Sequence, residues 1–375
     1  MASLEDPNTV ALVVDPGPPA AVAQNQYYTN GAFASVTLCV PGTTNCQTID
    51  HLLVDTGSFG VRVLESLLTV PLPAATSDAG VPLAECHPFV DSATWGPIKM
   101  ADVKVGQEFA SSLPVQAIGD QLTFNQIPAS CTGTPNNNLM DLGSNGVLGV
   151  GPLKQDCGAA CAGTTANPGH YYACSSETRC SPTALPVAKQ VSNPVVAFPV
   201  DNNGVIIQLP CVSPGGSPTV DGVMVFGIGT QVNNGLGSAM PLASNQLGYV
   251  ATAFPEGGTA YTSFIDSGSN ALYFLDEKTS GIKQCSKSTM SRFYCPPSTT
   301  SLTAEISGID GVGVTVQFNV ANASTLPARS NAFSDFAGTF PGYFDWGLPF
   351  HFGRSIYTAI EDQPTPAGPG PYFAF

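Results

Sequence analysis

Two stretches of the chain put an aspartate where an apolar strand would end. HLLVDTGSFGVRV (51–63) and TSFIDSGSNALYFL (262–275) each run hydrophobic residues into Asp, a hydroxyl residue, Gly and Ser, and then resume an apolar run. A carboxylate at the end of a buried strand is costly unless something satisfies or uses it. Aligned, the stretches match Asp55 with Asp266, Thr56 with Ser267, Gly57 with Gly268 and Ser58 with Ser269. Each residue type has a place in one chemistry. Glycine lets the backbone turn sharply and bring an N–H to the carboxylate. Thr56 and Ser267 can hydrogen-bond across to the opposite loop, while Ser58 and Ser269 can donate to the outer oxygen of their own aspartate. Two carboxyls held ~3 Å apart cannot both ionise, so the pair shares one proton and titrates as a unit. One carboxyl then takes a proton from a bound water while the other protonates a carbonyl. That arrangement hydrolyses an amide with no metal and no covalent intermediate.

The alternative for either motif alone is an ordinary Asp-Gly turn between strands. From average composition, such a tetrad arises by chance well under ~0.1 times in a chain of this length. Two copies, one per half, call for a common cause.

The elements that must position these loops read as strands. FASVTLCV and TIDHLLVD flank a short turn as a hairpin would, and ADVKVG and SSLPVQAIG follow. NGVLGVG (145–151) is small, apolar and punctuated by glycine. A second series comprises GVIIQLP, GVMVFGIG, LGYVATAF, TSFID, ALYFL, TAEISGI and VGVTVQFNV. TALPVAKQVSN (183–193) is the clearest helical segment, with Leu185, Val187 and Val191 at helical spacing. The 39 glycines, 33 prolines and scarcity of long periodic runs give a mostly β protein. With 375 residues the expected division is two lobes, 1–205 and 206–375, each carrying one aspartate loop.

Charge narrows the partners. A formal charge of −15 with only 12 Lys plus Arg leaves no basic stripe for nucleic acid or anionic lipid. No run approaches the ~18 apolar residues of a membrane span. Eleven cysteines in local clusters favour an oxidising compartment. Cys39 with Cys46, Cys285 with Cys295, and Cys86 with Cys131 are natural pairs. Cys157, Cys161, Cys174 and Cys180 form a group of open connectivity, which leaves Cys211 over. A zinc site in that group is the rival reading, but its spacings are irregular and His170 is the lone nearby histidine. The start, MASLEDPNTV, has no signal-peptide pattern, so export implies a signal already removed. His51, His87, His170 and His351 share no metalloprotease or triad pattern, and GSNGVLGVG lacks the lysine and helix of a nucleotide loop.

The two motifs resemble those of the pepsin-like aspartic proteases, and the likeness runs over about residues 27–362. NGVLGVG resembles the apolar-apolar-Gly segment that threads beneath the first catalytic loop, through Val147, Leu148 and Gly149. WGLPFHFGRSIYTAIED resembles its second-lobe counterpart, with Gly347 in the glycine's place. VDTGSFGVRVL, TWGP, DNNGVIIQLP and FGRSIYTAIE are similar to a bacterial pepsin-like family catalogued as a domain of unknown function. The resemblance implies a bilobal fold of two related β-barrel-like lobes with a cleft between them. It also implies a monomeric aspartic endopeptidase that takes peptide or unfolded protein, with Asp55 and Asp266 as the catalytic pair and no cofactor. The expected setting is secreted, periplasmic or cell-envelope. The chain departs from the family pattern at three points. The hairpin flap carries no tyrosine, so Phe89 or Trp95 would cover the cleft; Arg62 stands where a tryptophan is usual; and Asp345 replaces an aliphatic before Trp346-Gly347. The rival function is a catalytically silent relative that binds a peptide or protein, or inhibits another enzyme.

Overall fold

The computed structural model describes residues 1–119, 126–163, 169–176 and 178–375. Strands dominate, and no helical segment among the described residues exceeds four residues. The helix expected over 183–193 is a single 3-10 turn at Val187–Lys189. Pro186 restricts Leu185 to extended backbone, so a helix cannot run through it. Leu185 and Val191 are buried all the same, held by the Gln190 side chain, which donates to the Leu185 and Gly158 carbonyls.

Among the described residues, one large sheet of sixteen strands runs through both halves. The first strand, Thr9–Val14, pairs along its whole length with Val220–Phe226, from Thr9 opposite Val225 to Val14 opposite Val220. Gly204–Gln208 lies between Val220–Phe226 and Ser355–Ala359. The chain's beginning, middle and end thus share one floor, and the division expected at 205/206 falls inside one of its strands. A second sheet of seven strands is built entirely from residues after 249.

The same local unit occurs twice. In the first half, Cys46–Asp55 runs parallel to Gly146–Val150, with Asp55 opposite Gly149, and Gly146–Val150 pairs antiparallel with Phe59–Leu64. In the second half, Thr259–Ile265 runs parallel to Phe340–Trp346, which pairs antiparallel with Leu272–Leu275. Each aspartate loop therefore bridges two strands that are separated by a third strand threaded between them. Glycine is required where that third strand passes the loop. A Cβ on Gly149 would sit 2.6 Å from the Phe59 nitrogen, and one on Gly347 would sit 2.6 Å from the Ser269 carbonyl oxygen.

Two cores hold these units. The first is aliphatic, built on Leu38, Leu52, Val54, Val63, Val103 and Leu148. The second is aromatic, with Phe274 stacked on Phe344 at 5.0 Å and Trp346 against Phe318 at 5.1 Å. Five disulfides close local loops: Cys39–Cys46, Cys86–Cys131, Cys157–Cys161, Cys174–Cys180 and Cys285–Cys295. Cys211 is the free, exposed thiol.

Candidate active site

The two aspartate loops are bonded to each other. Thr56 N–H donates to Ser267 Oγ at 3.1 Å, and Ser267 N–H donates to Thr56 Oγ1 at 2.9 Å. Each hydroxyl then donates onward to the carbonyl before the opposite aspartate, Thr56 to Ile265 at 3.2 Å and Ser267 to Val54 at 2.7 Å. Both residues are buried. All four groups would be unsatisfied without this exchange, so the halves are fixed at this point.

The glycines and serines hold the carboxyls. Gly57 N–H donates to Asp55 Oδ1 and Gly268 N–H to Asp266 Oδ1, each at 2.7 Å. Ser58 Oγ donates to Asp55 Oδ2 at 2.5 Å and Ser269 Oγ to Asp266 Oδ2 at 2.9 Å. A Cβ on Gly268 would sit 2.6 Å from Asp55 Oδ1 and 3.1 Å from Asp266 Oδ1. The inner oxygens therefore face one another across the paired glycines. Asp55 is 6% exposed and Asp266 8%, enough for a water or a substrate group to reach them. Burial, then the charges of Asp55 and Asp345, push the Asp266 carboxyl well above the usual carboxylate range. The pair therefore shares a proton and titrates as a unit.

A cavity of ≈ 530 Å³ opens on the Asp266 side, beside Gly268 and Ser269. Tyr28, Tyr273 and Asp345 line it. Tyr28 belongs to the loop before the Ala32–Cys39 strand and packs edge-on against Phe33 at 5.5 Å. Burial, then the charges of Tyr273, Asp55 and Asp266, raise its hydroxyl pKa. Nothing in the pattern of NQYYTN marks this tyrosine, because it comes from an irregular loop far from either motif.

The flap is the hairpin of Leu83–Pro88 and Ser92–Val105. Neither Phe89 nor Trp95 is among the residues lining the cavity; Val90 and Asp91 at the hairpin tip are. Trp95 pairs with Cys86 in the hairpin, is 1% exposed and packs edge-on against Tyr172 at 5.0 Å. Phe89 leans on His87 at 4.8 Å and on the cluster of Leu64, Ile118 and Val147. The reason is register: the hairpin turns at 89–91, and the Cys-rich segment packs over the face that Trp95 occupies. The tip also reaches the other half, where Asp91 pairs with Arg292 at 3.0 Å, both exposed.

Arg62 anchors the hairpin from behind. Its Nη2 lies 2.8 Å from Glu85 Oε1, 2.9 Å from His87 Nδ1 and 3.1 Å from Asp156 Oδ2. His170 Nε2 lies 3.2 Å from Asp156 Oδ2, and Tyr171 donates to Asp156 Oδ1 at 2.5 Å. Glu85, His87, Asp156 and His170 have the makings of a metal tetrad, with ligand atoms within 4.8 Å of one another. The Arg62 guanidinium stands where the metal would, so the cluster already has its cation. Burial opposes ionisation of Glu85, but Arg62 and the hydrogen bonds from Asp156, His170 and His87 outweigh it and hold the carboxyl well below its usual range. Burial and the Glu85 charge push Asp156 up to about 7. Burial opposes the His170 charge, yet the hydrogen bonds to Asp156 and Glu85 raise it to about 9. Burial and Arg62 take His87 down to about 3.

Two halves built on one repeated unit, joined at paired Asp-Ser/Thr-Gly-Ser loops beneath a hairpin, define the pepsin-like bilobal aspartic proteinase fold. Over residues 5–375 the chain matches the model of the family described as "Protein of unknown function (DUF3443)", and it belongs to that family. Among solved structures it is similar to the aspartic proteinase from Irpex lacteus. That match has a TM-score of 0.55 and 14% identity, and covers 98% of this chain and 96% of that one. The likeness is one of fold. A comparison with curated proteins finds no match.

Proposed function

We propose that the protein is an aspartic endopeptidase that hydrolyses peptide bonds with a water held between Asp55 and Asp266. The observation that carries this reading is the opposed pair of carboxyls, each fixed by a glycine N–H and a serine hydroxyl over mutually bonded loops. Asp266, the raised acid, gives its proton to the scissile carbonyl oxygen while Asp55 takes one from the water. The water oxygen bonds to the carbonyl carbon and a neutral gem-diol forms. Return of the Asp55 proton to the amide nitrogen breaks the C–N bond, and the diol proton goes back to Asp266. Thr56, Gly57, Ser58, Ser267, Gly268 and Ser269 orient the pair and need not touch substrate. The substrate is an extended segment of peptide or unfolded protein under the hairpin. Five disulfides support an oxidising setting outside the cytoplasm.

Cleavage of unfolded protein at pH 3–6, blocked by a statine-type inhibitor, is the expected result. Asp55→Asn and Asp266→Asn should each lower kcat by at least about a thousandfold, since neither can share the proton. Full activity in either variant removes the mechanism. The silent-binder reading draws on one observation, a hairpin tip of Val90-Asp91 with no ring over the carboxyls. Inhibitor binding without cleavage at any pH would favour it.

A further inference from the structure

Asp345 is a cleft carboxyl that the proposed hydrolysis leaves unused. It lies on the Phe340–Trp346 strand and is 4% exposed. Its Oδ1 has no hydrogen-bond partner among the described residues. The repeated unit supplies an internal control. The residue two before the threading glycine is Val147 in the first half and Asp345 in the second. Val147 sits in an apolar cluster with Leu64, Ile118 and Leu142, so threading beneath the loop needs no carboxyl. Asp345 instead borders the ≈ 530 Å³ cavity. A buried acceptor with no donor is a standing cost in the empty protein.

The rest of the cavity says which donor fits. Tyr28, Tyr273, Phe293, Phe336 and Phe340 give it aromatic walls. Its acidic members are Asp91, Asp141 and Asp345, against Arg292, which is already paired with Asp91. Aromatic walls suit a long aliphatic stem and attract a cation over their faces. An acid in the lining suits an ammonium or guanidinium at the stem's end.

We propose that Asp345 is a specificity determinant, forming with Tyr28 and Tyr273 a subsite for a lysine or arginine side chain of the substrate next to the scissile bond on the Asp266 side. The inference rests on the proteolytic reading and names the substrate that site prefers. Binding of the cation ionises Asp345, whose proton passes to solvent, and Oδ1 accepts the hydrogen bond it lacks. Neutral donors such as glutamine would fill the bond without the charge, and norleucine would do neither.

The test is a set of peptides identical except for lysine, arginine, glutamine or norleucine at each position flanking the cleaved bond. In the unaltered protein the kcat/KM ratio of lysine to norleucine should reach about tenfold or more at one position. In Asp345→Asn and Asp345→Leu the ratio should fall to near one, with thermal melting confirming a folded chain. Cleavage with no basic preference, a preference that survives in both variants, or glutamine equal to lysine would each overturn the subsite while leaving the protease reading intact. The same ratio is read without hydrolysis by calorimetric binding of statine peptides carrying lysine or norleucine. If nothing is cleaved, the protease reading fails, and equal affinity of the two statine peptides refutes the subsite separately.

Discussion

Thr56 and Ser267 do at the residue scale what no single element could. Their hydroxyls accept from one another's backbone N–H and donate to carbonyls of the opposite half, over more than two hundred residues of sequence. Thr56→Val keeps the shape and removes the exchange, which leaves the Ser267 N–H and the Ile265 carbonyl buried without partners. An unsatisfied buried group costs about 1–3 kcal/mol, so denaturant unfolding should report a loss in that range. Ser267→Ala should cost a similar amount, and the double variant less than the sum, because the two residues share one network. The kinetic signature should be a fall in kcat larger than any rise in KM, since the geometry of the dyad loosens while the cleft walls stay. Strict additivity would mean that the loops are held by something else. These residues were legible in the sequence because each motif is local: four consecutive residues specify a turn, and its duplication specifies the partner.

Legibility fails where an element's register or a distant segment decides. The hairpin over the cleft was expected, but which ring it presents depends on where it turns, and the turn at 89–91 places Trp95 against Tyr172. The segment 183–193 has helical spacing of apolar residues, yet Pro186 breaks it and burial alone keeps those residues inside. Arg62 was visible as a departure, but its partners arrive from two places: Glu85 and His87 on the hairpin, and Asp156, itself held by His170, in the disulfide-tied segment. The arginine therefore joins the strand after the first aspartate loop to the hairpin root. Arg62→Met removes the guanidinium and leaves buried Glu85 and Asp156 with only the His170 charge beside them. Breaking a buried ion pair by deleting one partner costs about 3–5 kcal/mol, and a loss of that size is expected from chemical denaturation at pH 7. A change below about 1 kcal/mol would show that the cluster is not held by its charge. By contrast the exposed Asp91–Arg292 pair at the hairpin tip is a weak latch, which suits a cover that must open for each substrate.

At the scale of the whole molecule, buried ionisable groups set how stability responds to pH, and the sign differs between two sets. Asp266 and Asp345 are raised well above their ordinary values, chiefly by burial; Asp156 and the half-buried Glu108, at the start of the Glu108–Ile118 strand, are raised to about 7 and His170 to about 9. A group raised on folding contributes stability that is complete below its unfolded pKa and is lost as pH rises through the folded value. Burial lowers His87 to about 3 and His351 to about 4, so their contribution is complete above 6.5 and is lost as pH falls toward those values. Below pH 6.5 the acids and the two histidines oppose each other, and the melting temperature should change little. Between pH 6.5 and about 9 the lowered histidines contribute no slope, Asp156 and Glu108 finish titrating, and His170 loses its proton. The formal charge of −15 adds self-repulsion in the same direction. Melting temperature should therefore fall steadily from pH 6.5 to 9. His170→Gln, which keeps a donor toward Asp156 but cannot titrate, should flatten the upper part of that fall. A melting temperature that is constant or rising over this window, or a His170→Gln curve parallel to that of the unaltered protein, would show that the buried cluster behind the hairpin does not carry the charge assigned to it.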